Sequence, residues 1–288
     1  DMPVQSFRSW NASEGRKRAA PQAWRTPWLA RIFVFGGAWA LTAYGAWEMY
    51  HVVSVSRTTF LQYVLLVLFT VNFSWIALAF TSAILGFCAL LFRLVKSPRA
   101  ETLTQKTVVV MPIYNESTAR TFAAVAAIRE SIEATGLGAH FDYFIVSDTT
   151  NPDIWVAEER AFLALRQRLG PDARIYYRHR PKNHHRKAGN IADFVTRWGG
   201  HYEHMVVLDA DSLMTGTCIV RLAAAMEADP DAGIIQSLPL IINRNTFFAR
   251  LQQFAARVYG PVIATGLAIW SGRDGNYWGH NAIIRVRA

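Results

Sequence analysis

Asp209 and Asp211 stand two residues apart, directly after the apolar run Met205-Val206-Val207-Leu208. Where a buried strand gives way to a turn, side chains at i and i+2 can point the same way. Two carboxylates so placed offer oxygen ligands to one hard cation, Mg²⁺ or Mn²⁺, and such a cation can bridge to the diphosphate of a nucleotide. A lone Asp-x-Asp is also met as a turn or a helix cap. Here it has company, because Asp148 follows the apolar run 141–147, and Pro112-Ile113-Tyr114-Asn115-Glu116 follows the apolar run 107–111. Three strand ends thus deliver acid to one edge, where the carboxylates repel one another unless positive charge offsets them.

A basic stretch, Arg178-His179-Arg180-Pro181-Lys182-Asn183-His184-His185-Arg186-Lys187-Ala188-Gly189-Asn190, leads into a helical pattern. A basic loop entering a helix N-terminus suits anionic phosphates. It also reads as a solvated loop or as an RNA patch, but an RNA platform calls for interleaved aromatic residues, and this stretch has none. Nucleic acid is therefore disfavoured as a partner. His184 and His185 are adjacent rather than at i, i+4, and Cys88 and Cys218 form no paired motif, so neither a zinc site nor a disulfide framework is expected. No G-x-x-x-x-G-K-[ST] occurs and no G-x-G-x-x-G follows a strand, which disfavours P-loop and dinucleotide chemistry.

Short apolar runs alternating with helical periodicity must position these groups. Strands are expected at 107–111, 141–147, 174–178 and 204–208, with another led by Ile234 and Ile235. Helices are expected at 119–134, 153–169, 187–198, 216–228 and 247–259. The alternation predicts an α/β fold with a mostly parallel sheet covered by helices on both faces, and ligands bind such sheets beyond the carboxyl ends of the strands.

Hydrophobic residues make up 52% of the chain, and the excess lies before Arg93. Residues 28–53 are apolar apart from Arg31, Glu48 and His51, while 60–92 contain no Asp, Glu, Lys or Arg. A spanning helix needs roughly 20 apolar residues, so both runs suffice. A cleavable signal peptide is the alternative for the first run; its long polar lead and the bulky Trp47 and Tyr50 favour a retained helix. Arg16, Lys17, Arg18, Arg25 and Arg31 precede the pair, Arg93, Lys96, Arg99 and Lys106 follow it, and only Arg57 lies between. The expected order is a cytoplasmic tail at 1–27, a hairpin of two transmembrane helices at 28–97 and a cytoplasmic globular domain at 98–288. Much of the net charge of +9 is thereby assigned to membrane orientation.

PIYNE at 112–116, Asp148, RKAGN at 186–190 and DAD at 209–211 occur in the order found in the family-2 inverting glycosyltransferases, and the chain resembles that family. More narrowly, IIQSLPLIINRNTFFARLQQFAARVYGP and YWGHNAIIRVRA resemble the glucans biosynthesis glucosyltransferase H group. The resemblance implies a GT-A fold, Rossmann-like with a mostly parallel sheet. It implies transfer of glucose from UDP-glucose to a growing β-glucan acceptor, with inversion, dependent on Mg²⁺ or Mn²⁺. The product would be osmoregulated periplasmic glucan, made by a multi-pass protein of the bacterial inner membrane. By position, Tyr114 and Glu116 would border the uridine, Asp148 would hold the uracil and Lys187 would contact the diphosphate, with Asn190 also among the donor-binding residues. Asp209 would face the donor sugar and phosphate, and Asp211 the metal. Gln236, Pro239 and His280 would lie on the acceptor side. The Gln236–Pro239 segment has one residue more than the family's Q-x-P, and Trp278 and His280 depart from its usual Cys-Gly pair. The family's acidic base and Q-x-x-R-W motif do not occur before Ala288, so the chain is expected to be a fragment that binds donor without transferring glucose. A synthase of another β-glycan, a lipid-phosphate glycosyltransferase and a catalytically silent UDP-sugar sensor are the rival readings. The sequence sets no oligomeric state.

Overall fold

The computed structural model describes residues 27–55, 58–94 and 102–287. The tail 1–26, with Arg16, Lys17, Arg18 and Arg25, and the flanking Arg57, Lys96 and Arg99 lie outside the described residues. One compact unit holds the described residues of Ser97–Ser237 and Tyr277–Ala288, and the other those of Gln22–Lys96 and Leu238–Asn276.

The first unit is built on a six-stranded sheet. Its strands are β1 (Thr107–Ile113), β2 (Phe141–Ser147), β3 (Ile175–His179), β4 (His204–Val207), β5 (Ile234–Gln236) and β6 (Ala282–Arg285), in the order β3-β2-β1-β4-β6-β5. The first four are parallel, while β6 runs antiparallel to both β4 and β5. This is the mixed α/β, mostly parallel GT-A arrangement expected.

Both faces of β1 and β2 are buried, so these strands read as continuous apolar runs. Alternation of side chains splits them between two cores. Val109, Met111, Tyr143 and Ile145 pack with Phe122, Val125 and Ile128 of α3 (Thr118–Glu133) and Ile219 and Met226 of α6 (Gly216–Ala228). Val108, Val110, Phe144 and Val146 pack with Phe194 of α5 (Arg186–Trp198) on the other side. The helix α4 (Pro152–Leu169) adds Leu165 to the first core.

Several boundaries differ from expectation for identifiable reasons. β1 runs through Pro112, which pairs in register with Val146. The carbonyl of Val110 faces β4, so two residues on, the Pro112 nitrogen faces β4 as well. Pairing with β4 has already stopped at Val110, and the missing N–H costs no ladder bond. At the far end β6 closes at Arg285 and Val286–Arg287 form a turn.

The second unit contains the two long apolar helices, α1 (Trp28–Val53) and α2 (Phe60–Leu91), each long and apolar enough to cross a membrane. α1 carries a π-helical turn at Ile32–Gly36, where the buried Thr81 hydroxyl of α2 donates to the Val34 carbonyl at 3.0 Å. Two further helices follow in this unit, α7 (Phe247–Val258) and α8 (Gly260–Ser271). α8 crosses α2 with backbone against backbone. A Cβ on Gly266 would stand 1.9 Å from the Ser82 carbonyl oxygen, and one on Gly86 1.9 Å from that of Val262. Arg31 closes the C-terminal end of α8, donating to the Trp270 carbonyl at 2.9 Å and the Ser271 carbonyl at 3.1 Å. α7 buries none of its residues and carries Phe247, Leu251 and Phe254 exposed along one stripe.

His204 begins β4 fully buried, with Arg285 Nη1 donating to its Nε2 at 3.2 Å. Burial, with the Arg285 guanidinium beside it, lowers its pKa from 6.5 to about 4. The unfolded chain therefore takes up a proton near pH 6.5 that the folded chain refuses until about pH 4. This contribution to stability is complete above the unfolded value and is lost as pH falls toward the folded one, to a limit of about 3 kcal/mol. Denaturant midpoints should fall between pH 7 and pH 4.5, and His204→Gln should flatten that slope; an unchanged slope would remove His204 as its source.

Candidate functional site

The carboxyl ends of β1, β2 and β4 open onto one cleft of about 1400 Å³. It is lined by Tyr114, Glu116, Asp148, Lys187, Asn190, Asp209 and Asp211, together with His184, His185 and Arg186. Seven of the ten residues singled out from the sequence are thus brought together. Gln236, Pro239 and His280 do not line it.

Asp148 follows β2 and is 3% exposed. Its carboxylate is held bidentately by Arg180, with Nε to Oδ1 at 2.9 Å and Nη2 to Oδ2 at 2.7 Å. The same guanidinium donates to the His184 carbonyl at 3.0 Å. Arg180 therefore neutralises the acid and fixes the course of the basic loop in one act. Arg178 is also turned away from the cleft. It donates to Asn190 Oδ1 at 2.7 Å and pairs with Asp193 at 3.0 Å, and burial pushes its guanidinium pKa down. Asn190 is 1% exposed, and its amide nitrogen donates to the Val146 carbonyl at 2.9 Å. Both ends of that side chain are thus committed to joining α5 to β2 and β3.

Asn183 to Ala188 of the basic stretch line the cleft. His185 and Arg186 at the start of α5 take positive φ of 57° and 49°, which turns the chain sharply before Lys187. The Lys187 ammonium donates to Asp209 and lies 3.4 Å from the Gly279 carbonyl. Asp211, two residues on, is exposed. Glu116 accepts from the Tyr114 N–H, and burial pushes its carboxyl pKa up, with the charges of Glu158 and Asp211 adding to that effect.

No group of three or more His, Cys, Asp or Glu side chains is placed to hold a metal ion among the described residues. Asp209 and Asp211 alone suit a cation that fills its other positions from water and phosphate oxygens, as Mg²⁺ does. The pair therefore fits a metal that arrives with a phosphorylated ligand better than one held permanently by protein.

Sequence reasoning did not single out the support behind this edge. Asn115 sits at φ 57°, a left-handed conformation tolerated by Asn, so that Tyr114 and Glu116 flank a sharp turn. Its N–H donates to Thr149 Oγ1 at 3.1 Å, and its side-chain oxygen accepts from the N–H groups of Thr150 at 3.2 Å and Asn151 at 3.1 Å. Behind Thr149 lies Glu158 of α4, 1% exposed, accepting from the hydroxyls of Ser147, Thr149 and Tyr177. A buried acid needs partners, but helical periodicity alone does not say which of Glu158 and Glu159 turns inward.

At the β5 end, Gln236 Oε1 accepts from the Trp278 N–H at 3.0 Å. Ser237 donates through both its N–H and its hydroxyl to the Asn281 carbonyl, each at 3.1 Å. His280 has a buried Nδ1 without a hydrogen-bond partner.

Residues 108–288 match the family described as "Glycosyl transferase family 2". The chain is 51% identical over 292 residues to the "Glucans biosynthesis glucosyltransferase H" of Shewanella sp. (strain ANA-3), with 100% of the chain and 40% of the relative covered. It is 54% identical over 263 residues to the protein of the same name from Shewanella baltica (strain OS155), with 90% and 36% covered. The chain thus spans about two fifths of the length of these curated relatives. Among solved structures, a mannosyltransferase from Pyrobaculum calidifontis in complex with GDP-Man and Mn²⁺ aligns with a TM-score of 0.48 at 16% identity, covering 73% of this chain and 53% of that one.

Removing one partner of a buried ion pair strands the other charge, at a cost of about 3 kcal/mol or more. Arg180→Ala should destabilise the sheet unit by that order, while Arg180→Lys, which keeps the charge but not the fork, should fall between. Chemical denaturation of the three proteins gives the ranking. A loss under about 0.5 kcal/mol in Arg180→Ala, the level of an ordinary surface substitution, would refute the pair's role.

Proposed function

Since the chain belongs to glycosyl transferase family 2, we propose that it forms the donor-binding part of an inverting glucosyltransferase that extends a β-glucan from UDP-glucose, in the synthesis of osmoregulated periplasmic glucans. The observation that carries this reading is the single cleft gathering Asp148, Lys187, Asp209 and Asp211 beyond the carboxyl ends of three adjacent strands. The names of the relatives reported above support glucose and glucan over other sugars.

In this reading uridine lies against Tyr114, Glu116 and Asp148, and the diphosphate lies toward Lys187 at the start of α5. Asp209 faces the donor sugar and phosphate. Asp211, with Asp209, would hold Mg²⁺ or Mn²⁺, which when bound supplies positive charge against the departing diphosphate. The ammonium of Lys187, which is bonded to Asp209, would exchange that carboxylate for phosphate oxygen and stabilise the same developing charge. Asn190 serves the donor by holding the first turn of α5. Gln236, Pro239 and His280 are assigned to the acceptor side. Inversion at the anomeric carbon needs a general base to deprotonate the acceptor hydroxyl, and none of the cleft residues is given that role.

α1 and α2 are proposed as a membrane hairpin within 28–97, with 98–288 the glycosyltransferase domain. The tail 1–27 and that domain would be cytoplasmic, in a multi-pass protein of the bacterial inner membrane. This orientation gives the cleft access to cytoplasmic nucleotide sugars.

Three measurements test these assignments. Calorimetry should show UDP binding strengthened by Mg²⁺ or Mn²⁺, with Asp211→Asn abolishing most of the gain; equal affinity with and without metal would remove the cation from the site. Reporter fusions after Lys17, Arg57 and Lys106 should read cytoplasmic, periplasmic and cytoplasmic, and a periplasmic signal at Lys106 would overturn the topology. Membranes carrying the natural protein should build labelled UDP-glucose into β-glucan, and a labelled product of another sugar or class would redirect the substrate assignment.

A further inference from the structure

We propose that Glu158 is a positioning residue for the nucleoside end of the cleft, acting through Thr149 on the turn that carries Tyr114, Asn115 and Glu116; this rests on reading the cleft as a nucleotide-sugar site. Glu158 is 1% exposed, and among the described residues it forms no salt bridge. It is held by three hydroxyls instead, at 2.7 Å to Ser147, 2.6 Å to Thr149 and 2.9 Å to Tyr177. These come from β2, from the residue after Asp148 and from β3, so the carboxylate joins the strand ends behind the site.

The direction of these bonds gives the hub a polarity. Each hydroxyl donates to the Glu158 carboxyl, so its proton turns inward and its lone pairs face away. Those outward lone pairs are used. Thr149 Oγ1 accepts the Asn115 N–H at 3.1 Å, and Ser147 Oγ accepts the Thr149 N–H at 3.1 Å. Asp148 lies between these two residues, and Asn115 holds its left-handed turn by the bond to Thr149. The polarity set at Glu158 thus reaches Asp148 from both sides and reaches Tyr114 and Glu116 through Asn115. Lys187, Asp209 and Asp211, at the diphosphate end, receive no bond from this network.

A carboxamide has nearly the same shape but presents N–H on one side, which competes for a hydroxyl lone pair that the turn needs. Calorimetry of the detergent-extracted protein in Mn²⁺ should compare UDP with inorganic pyrophosphate, in wild type, Glu158→Gln and Thr149→Val. Loss of one net hydrogen bond's worth of positioning predicts that UDP binding weakens about tenfold in both variants. Pyrophosphate binding should stay within about twofold, since its partners lie outside the network. Equal weakening of both ligands would mark a general structural role and overturn the proposal, as would unchanged UDP affinity. If Glu158→Gln does not fold, Thr149→Val, which leaves two hydroxyls on the carboxylate, decides by the same criteria. Wild-type protein that binds pyrophosphate but gains nothing from the uridine would instead overturn the nucleotide reading itself, and this proposal with it.

Discussion

Negative charge gathered at the carboxyl edge of a parallel sheet is the constraint from which the rest of the site follows. β1, β2 and β4 end in Glu116, Asp148 and the pair Asp209 and Asp211, all on one cleft. Such a cluster is unstable until positive charge is brought to it. The chain brings its own, from the basic stretch that leaves β3 and runs into the first turn of α5. Arg180 takes Asp148 and Lys187 takes Asp209. The two pairs differ in kind. The first is largely buried and bidentate and behaves as part of the core, whereas the second is more than a third exposed on both partners and screened, so it can be exchanged.

That difference sorts the basic segment into two jobs. Arg178 and Arg180 face inward and hold Asn190, Asp193 and Asp148, which anchors both ends of the loop. His184, His185, Arg186 and Lys187 line the cleft. The geometry of the cleft surface is set by buried arginines that do not line it. Preorganisation of this sort is what allows charged groups to act on a ligand without first rearranging.

The parallel strands and the four acidic residues that follow three of them were legible in the sequence because these strands are short apolar runs followed by polar residues. The sequence was silent where the determining contact is long-range. Arg180 reads as one cation among five in a basic stretch, and only the fold brings it against Asp148. Glu158 stands beside Glu159 and Arg160 in an ordinary helical charge run, and the inward member is fixed by hydroxyls on two strands. The antiparallel setting of β5 and β6 likewise depends on which strands meet. α8 follows α7 with only Tyr259 between them, so one apolar stretch conceals two helices. Its glycines mean little until Gly266 is seen against the Ser82 carbonyl.

β5 and β6 are antiparallel partners, and Ser237 is bonded to Asn281 across them, so in topological terms they form a hairpin. Leu238–Asn276, which belongs to the unit of the long apolar helices, is that hairpin's connection. The entropy of closing a loop grows only logarithmically with its length, each doubling adding about 0.6 kcal/mol. Once the Gln236–Trp278 and Ser237–Asn281 bonds fasten its base, the sheet is nearly indifferent to what is threaded between them. The register of β5 and β6 is set by the bonds at the base of the connection and depends little on its length. The fold thereby separates the length of the inserted segment from the geometry of the sheet.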